Sequence, residues 1–253
     1  MLRTRVIPVL LLQEGGLVKG KNFKNHKYVG DPINAVKIFN EKEVDELVFL
    51  DISATDDNRG PDFDLIADIA SEAFMPFAYG GGLNTVDQVE RLFSIGVEKA
   101  ILNTAAFLNP SMVKEAVKVA GSQSIVVSMD VKKSIFGSYE VFVNNGKLKT
   151  NLDPVTYAKL MLDLGVGELI VSSIDREGTG KGYDIKLFEL VSKCVEIPVV
   201  GLGGAGSLQD LADAKNLTDV SAVAAGDLFV FHGKHKAVLI TYPMYSELEK
   251  LFI

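Results

Sequence analysis

The chain is short of several residue types that mark particular classes of protein. Among its 253 residues there is one cysteine, Cys194, and no tryptophan. A lone thiol excludes an internal disulfide framework and suits a reducing compartment. Cys194 falls near the end of a helical stretch, with no histidine nearby in sequence, and reads as a small buried hydrophobe. Histidine is scarce too, at three residues. His232 and His235 flank Gly233-Lys234 without an acidic or cysteine neighbour, so a loop role is expected there ahead of a metal site. No apolar run is long enough to cross a membrane, and the run after Met1-Leu-Arg-Thr-Arg5 has no signal-peptide cleavage region. A cytoplasmic protein with no membrane partner is expected. Positive charge is in deficit: 26 lysines and arginines stand against 33 aspartates and glutamates, a net charge of −7. That balance argues against nucleic acid as the main partner, although Lys21, Lys24, His26 and Lys27 could hold a small anion. No P-loop, dinucleotide fingerprint or Ser-His-Asp order is present, and no cofactor is expected.

What the chain does have is apolar residues, 47% of the total, arranged as short β-rich runs alternating with helical periods. Arg5-Val-Ile-Pro-Val-Leu-Leu-Leu-Gln13 reads as a buried strand feeding a glycine-rich loop, Glu14 to Gly20. Strands are then expected at Leu47 to Asp51, Pro76 to Tyr79, Lys99 to Asn103, Ser124 to Asp130, Glu168 to Ser173, Ile197 to Gly201 and Val220 to Ala225. Helices are expected around Ala35 to Phe39, over Asp62 to Phe74, through Val89, Leu92 and Phe93 (capped by Asn84 or Thr85), and at Met112 to Val119. Further helices follow at Pro154 to Leu164, Ile185 to Cys194 and Ser207 to Ala214, with helical turns over Ala237 to Leu251. Parallel strands need crossover helices, so eight such units imply a closed (β/α)8 TIM barrel, one domain over residues 1–253. Asn144-Asn-Gly146 between Tyr139 to Val143 and Lys147 to Lys149 signals a hairpin decorating one loop, about 138–149.

The sequence also repeats itself. Met75-Pro-Phe-Ala-Tyr-Gly-Gly-Gly82 echoes Ile197-Pro-Val-Val-Gly-Leu-Gly-Gly204, and Asp51 to Thr55 stands where Ser173 to Thr179 stands in the other half. A duplicated half-barrel predicts two related anion cradles. One would use Gly80 to Gly82 with Asn103 and Thr104. The other would use Gly178, Gly203-Gly204 and Ala225-Gly226. Each glycine cluster taken alone is also a tight turn; paired, they favour a ligand with two phosphates. Asp51, Asp130 and Asp175 each end an apolar strand, where the C-terminal face of a barrel places acids and bases. A structural hydrogen bond to a neighbouring loop is the competing explanation for each. Lys19, after the first strand, would bind phosphate, aid proton transfer or simply be solvated.

These residues resemble a known family. Val18-Lys-Gly20, Gly30-Asp-Pro32, Asp45 to Ile52, Gly80 to Gly82, Asn103-Thr104, Asp130, Asp175-Arg-Glu-Gly-Thr179 and Gly203-Gly-Ala-Gly206 are similar to the cyclase subunit of imidazole glycerol phosphate synthase (HisF), over essentially the whole chain. The resemblance implies a barrel that takes ammonia from a HisH-like glutaminase subunit and uses it on a phosphorylated small molecule at the opposite end. It implies two catalytic aspartates, at the ends of the first and fifth strands. The second matches Asp130; the first falls on Leu11, which cannot move a proton. The family's serines before the double glycine and after the alanine pair are Leu202 and Gly226 here, and its aspartate after the arginine is Glu177. The family's ammonia gate, two basic and two acidic residues at the N-terminal face, is matched by Arg5, Glu46, Lys99 and Glu168, whose competing role is barrel-bottom stability. The docking face would include Glu98.

The segments Phe229 to His235 and Leu239 to Pro243 resemble the glycosyl amidation-associated WbuZ paralogues, which implies ammonia passed to a sugar amidotransferase in lipopolysaccharide biosynthesis. The expectation is therefore an ammonia-conducting subunit with its cyclase activity lost. Two alternatives stand beside it: a working cyclase in which Asp130 acts with Glu14 or another displaced carboxylate, and a non-catalytic scaffold for a partner amidotransferase.

Overall fold

The computed structural model of the protein describes residues 4–233 and 235–252. Eight parallel strands close on one another: β1 (Arg5–Gln13), β2 (Leu47–Asp51), β3 (Phe77–Gly80), β4 (Lys99–Leu102), β5 (Ile125–Lys133), β6 (Glu168–Ser173), β7 (Val199–Leu202) and β8 (Ala222–Ala225). Each pairs with the next, and β8 returns to β1 in the register Arg5 with Ala222 to Pro8 with Ala225. The result is the expected (β/α)8 barrel.

Local chemistry starts the helices where the periodicity places them. Asp31 accepts from the Asn34 amide ahead of Pro32, and Asp62 accepts from Leu65. Thr85 forms a reciprocal capping box with Gln88, and Ser207 one with Asp210. These side chains satisfy amide groups that the first helical turn leaves without partners.

The alternation of the strands sorts residues into two cores. One set faces outward, Phe49 among it, and packs against helix residues such as Phe39, Tyr157 and Phe188 in one core. The other fills the barrel axis with smaller side chains, including Ile7, Val9, Val48, Ala78, Val126 and Ala224, topped by Leu11 and Leu50. Along β5 the inward positions run Val126, Ser128, Asp130, and along β1 they run Arg5, Ile7, Val9, Leu11. Leu11 and Asp130 therefore end their inward rows at the same face.

The structure differs from the sequence expectation in several places. The segment after β1 is a hairpin, Gly16–Lys21 against Lys24–Gly30, not a loop. Leu17 and Val18 are buried in it, and Asn22 and Phe23 turn it with φ of 51° and 61°. The second helix ends at Glu72, so Phe74 leaves the apolar stripe and is 88% exposed. Cys194 lies beyond its helix, Ile185–Ser192, and is half-buried, not buried. The segment from Ala237 begins as a strand, Ala237–Val238, paired with Phe231–His232; helix forms only at Tyr245–Leu251. The one hairpin expected, about 138–149, is present, as Tyr139–Val143 and Leu148–Lys149, continuing antiparallel from β5. His232 and His235 are exposed beside this C-terminal pair; Lys234 lies outside the described residues, as do Met1, Leu2 and Arg3.

Candidate functional site

A cavity of about 540 Å³ opens at the C-terminal ends of the strands. Its floor is apolar, formed by Val9, Leu11, Leu50, Ile101 and Leu202. Polar groups reach it from around the rim, among them Asp130, Asn103, Thr104, Arg59 and Glu177. A few convergent polar groups over an apolar floor is the usual make-up of a small-molecule site.

Asp130 is the carboxyl group best placed for proton transfer. Its Oδ2 accepts from Asn103 Nδ2 at 3.1 Å, and the same amide donates to the Ser128 carbonyl at 2.9 Å. Burial pushes the Asp130 carboxyl up to about 7, with the Asn103 hydrogen bond opposing and the charge of Glu177 adding to the rise. A group so poised can give or take a proton near neutrality. Across the floor, Leu11 supplies no second such group.

The two glycine cradles do not behave alike. Gly80, Gly81, Gly82, Asn103 and Thr104 all line the cavity. Gly81 and Gly82 have φ of 124° and 70°, values that favour glycine. A side chain on Gly81 would strike the Asp51 backbone. The Thr104 hydroxyl accepts from the Asn144 amide at 3.0 Å, which ties the added hairpin to this cradle. By contrast Gly178, Gly203, Gly204, Ala225 and Gly226 are buried and do not line the cavity. Backbone crowds the first of these: a Cβ on Gly178 would lie 2.1 Å from the Gly20 carbonyl oxygen, and one on Gly204 would lie 2.3 Å from that of Gly182.

Lys19 is neither solvated nor part of the cavity wall. It is 4% exposed, and its Nζ donates to the Val9 carbonyl at 2.7 Å. Burial lowers its pKa, while the charges of Glu177 and Asp227 partly offset that. Asp51 lines the cavity and also holds its own loop, whereas Asp175 lies outside the cavity. Asp51 accepts from the Ser53 and Ala54 amides and pairs with Arg59 at 2.8 Å, which holds its own loop. Asp175 is exposed and accepts from the Lys133 amide at 2.8 Å, outside the cavity. Glu14 is exposed and borders a separate recess beside Asp57 and Gly60.

At the opposite face, Arg5, Glu46, Lys99 and Glu168 form a closed ring. Lys99 Nζ reaches Glu46 at 2.8 Å and Glu168 at 2.7 Å, and Arg5 bridges the same two carboxylates. Burial opposes the charged Arg5 guanidinium, but Glu168 and Glu46 outweigh it and hold its pKa above the ordinary arginine value. Glu98 is exposed next to this ring.

Sequence reasoning missed Arg59 and Asn145. Arg59 sits in Asp57-Asn-Arg-Gly-Pro61, a charged turn following a strand-terminal aspartate, which was a legible cue. Asn145 was read only as a turn former; its Nδ2 donates to the Ile52 carbonyl at 2.7 Å and it lines the cavity. Nothing local signals that reach.

Comparison with known proteins agrees with this architecture. The histidine biosynthesis protein family matches residues 5–236. A relative from Pseudomonas aeruginosa, named "Putative imidazole glycerol phosphate synthase subunit hisF2", is 51% identical over 98% of this chain and 99% of its own length. A Leptospira interrogans protein, carrying the same form of name for subunit HisF, is 46% identical over the full length of both chains. The imidazole glycerol phosphate synthase subunit HisF of a Hydrogenobaculum species is 43% identical over 91% of this chain and 92% of its own. With a family match across nearly the whole barrel and relatives aligned end to end, this chain belongs to the HisF family.

Proposed function

We propose that this chain is the ammonia-receiving subunit of a glutamine amidotransferase complex in which the family's cyclisation has been lost. A HisH-like glutaminase docks at the N-terminal face around Arg5, Glu46, Glu98, Lys99 and Glu168. Ammonia passes the ring and follows the axis of small side chains to the cavity. There it meets a phosphorylated acceptor, or is handed to a sugar amidotransferase of the kind that serves surface-polysaccharide synthesis. Asp130 is the one acid–base group on the acceptor, and Gly82, Asn103 and Thr104 are its phosphate contacts.

The observation that carries this reading is the contrast between the barrel's two ends. The four-residue ring is fully paired, while the cavity holds Leu11 where cyclisation would need a proton-transfer group. The test supplies the purified chain with a glutaminase, glutamine and the family's cyclase substrate. Glutamine hydrolysis with ammonia reaching the C-terminal face, and no imidazole glycerol phosphate formed, is expected. Product formation at a rate ordinary for the family would defeat the reading. A bulky substitution on the axis, Ala224→Leu, should leave glutamine hydrolysis intact and uncouple delivery; a pure scaffold would be indifferent to it.

One observation favours a second reading, a working cyclase: Glu177 lines the same cavity as Asp130. Glu14, outside that cavity, has no part in it. If Glu177 already serves, Leu11→Asp changes little; a large gain of cyclase activity in that variant counts against the second reading.

A further inference from the structure

The C-terminal face of the barrel carries apolar side chains that the fold does not use. Beyond Asp130, β5 continues for three residues and turns at Ser134 to Gly137, so the turn stands about 10 Å above the cavity at about 3.3 Å per residue. Its two central residues, Ile135 and Phe136, are 95% and 92% exposed. Glycine, proline, asparagine, aspartate and serine are the ordinary occupants of such positions. Ile135 and Phe136 bury nothing within the chain, yet the turn that presents them is firmly held. The Ser134 amide donates to the Ser138 carbonyl at 2.8 Å, the Gly137 amide donates to the Ser134 carbonyl at 3.0 Å, and the two serine hydroxyls share a hydrogen bond of 2.7 Å. At its base, the Tyr139 hydroxyl donates to Asp184 at 2.8 Å.

The tip belongs to a larger surface. The Asp175 carboxylate accepts from the Lys133 amide at 2.8 Å, and Asn22 donates to the carbonyls of Ile174 and Asp175 at 2.9 and 2.8 Å. The loop 174–182 thereby fastens both hairpins together beside the cavity mouth. This surface is basic on a chain whose net charge is −7. Lys21, Lys24, Lys27, Lys132, Lys133 and Lys181 are all exposed, and none forms an ion pair among the described residues. The carboxylates of the same segments are engaged: Glu140 pairs with Lys149 at 2.7 Å, Asp175 holds the Lys133 amide, and Glu177 is buried. Glu14, at the foot of the first hairpin, borders the separate recess. Tyr28, 70% exposed, adds an aromatic side chain to the first hairpin.

We infer that the two hairpins form a docking surface for a second protein, one that offers an apolar pocket to Ile135 and Phe136 and carboxylates to the lysines around them, and that seats itself over the cavity mouth. An aromatic and an aliphatic anchor ringed by complementary charge is the usual make-up of a specific protein contact. Charge selects among the occupants. A second copy of this chain, applied face to face, would bring lysine against lysine. An anionic bilayer would attract the lysines, but three exposed apolar side chains are few for insertion, and the rest of the chain is more negative still. A protein with an acidic rim meets both features at once. Under the proposed function this partner is the enzyme that consumes the ammonia, and a covered mouth keeps that ammonia from bulk water. The inference rests on that reading only for what the partner does.

Photo-crosslinking tests the surface. Benzoylphenylalanine in place of Phe136, in the cell that makes this chain, is illuminated to capture what the tip touches. One protein other than the glutaminase is expected. Purified, it should bind the parent chain, and Ile135→Ser with Phe136→Ser should weaken that binding by about 100-fold, roughly tenfold for each apolar side chain withdrawn. Lys132→Glu with Lys133→Glu should weaken it by about tenfold at low salt and by less at high salt, because attraction between opposite charges is screened. Amide hydrogen exchange over 21–28 and 134–138 should slow in the complex. Both double variants should keep the parent's unfolding midpoint, since all four side chains are exposed. Capture of lipid, of the glutaminase, of another copy of this chain or of nothing overturns the inference, as does a captured protein whose affinity ignores all four substitutions. Ammonia delivery to the captured protein is assayed separately. Binding without delivery defeats the conduction reading and leaves the docking surface standing, whereas binding that is independent of the tip defeats the docking surface alone.

Discussion

In the first half-barrel, a methyl group on Gly81 would sit 2.4 Å from the Asp51 carbonyl oxygen; in the second, one on Gly203 would sit 2.9 Å from that of Ser173. The backbone has been built twice to nearly the same plan, with a strand end pressed against a left-handed glycine. What differs is where each half keeps its acid. Asp51 is the last residue of β2, and its short side chain curls under its own loop to Ser53, Ala54 and Arg59. The glycine arc above it stays open. In the second half the strand ends in Ser173, whose carbonyl accepts from the Arg176 and Glu177 amides. That turn brings Glu177 back over Gly203. One half binds its acid within its own loop; in the other, Glu177 reaches the wall of the cavity.

The most damaging way to break this pairing is to add a methyl group at the shared glycine. Gly81→Ala combines a φ of 124° with a contact against backbone that has no freedom to move. About 4 kcal/mol of destabilisation is expected in urea unfolding. Gly203→Ala, at φ of 100° and with a looser contact, should cost about 2 kcal/mol. Equal costs would mean that the halves are equally tight and that the difference in spacing carries no energy.

How far this asymmetry could be read from sequence depends on what kind of information each part needs. The barrel was legible because strand alternation and helix caps are local: Thr85 with Gln88 and Asp62 with Leu65 act within one turn. The pairing of Gly80 to Gly82 with Gly203-Gly204 was legible as a repeat. The approach of Lys19 to Gly226 and of Glu177 to Gly203 was not, because the tertiary fold brings each about. Both contacts join residues far apart in the chain. The first hairpin was misread as a loop for a related reason. Glu14-Gly15-Gly16 announces a turn, but the pairing of Leu17 with Gly30 and Val18 with Tyr28 is set by tertiary packing of Leu17 and Val18.

A second prediction separates the two carboxylates that face opposite fates, Asp130 and Asp51. Burial raises the Asp130 pKa to about 7. The unfolded chain ionises this group near pH 4, so between about pH 4 and 7 the native state holds the extra proton and stability falls as pH rises. Below that window both states are protonated and no penalty remains; above it the penalty is complete. Asp130→Asn removes the ionisation while keeping an oxygen for the Asn103 amide. Its stability should match the parent near pH 4 and exceed it by about 2–4 kcal/mol above pH 7. A variant less stable than the parent at high pH would show that the buried carboxylate is fully compensated. The price of that stabilisation should be loss of whatever proton transfer the cavity performs.

The smallest effect, and the sharpest contrast in sign, belongs to Asp51→Asn. Here the carboxylate is already satisfied, accepting from the Ser53 amide at 3.0 Å, the Ala54 amide at 3.1 Å and the Ser53 hydroxyl at 2.9 Å, with Arg59 at 2.8 Å. The asparagine amide keeps one oxygen acceptor but turns a donor toward the Arg59 guanidinium, which is about two-thirds buried and is left with Asp57, at 3.3 Å, as its carboxylate partner. Charge-assisted hydrogen bonds of this sort are worth about 1–2 kcal/mol in net stability, so the variant should be destabilised by that amount at neutral pH. Asp130→Asn and Asp51→Asn are the same chemical change on two strands of one barrel face, and at neutral pH they should move the unfolding midpoint in opposite directions. If both lower it, Asp130 is a structural group like Asp51 and is not held in reserve for chemistry.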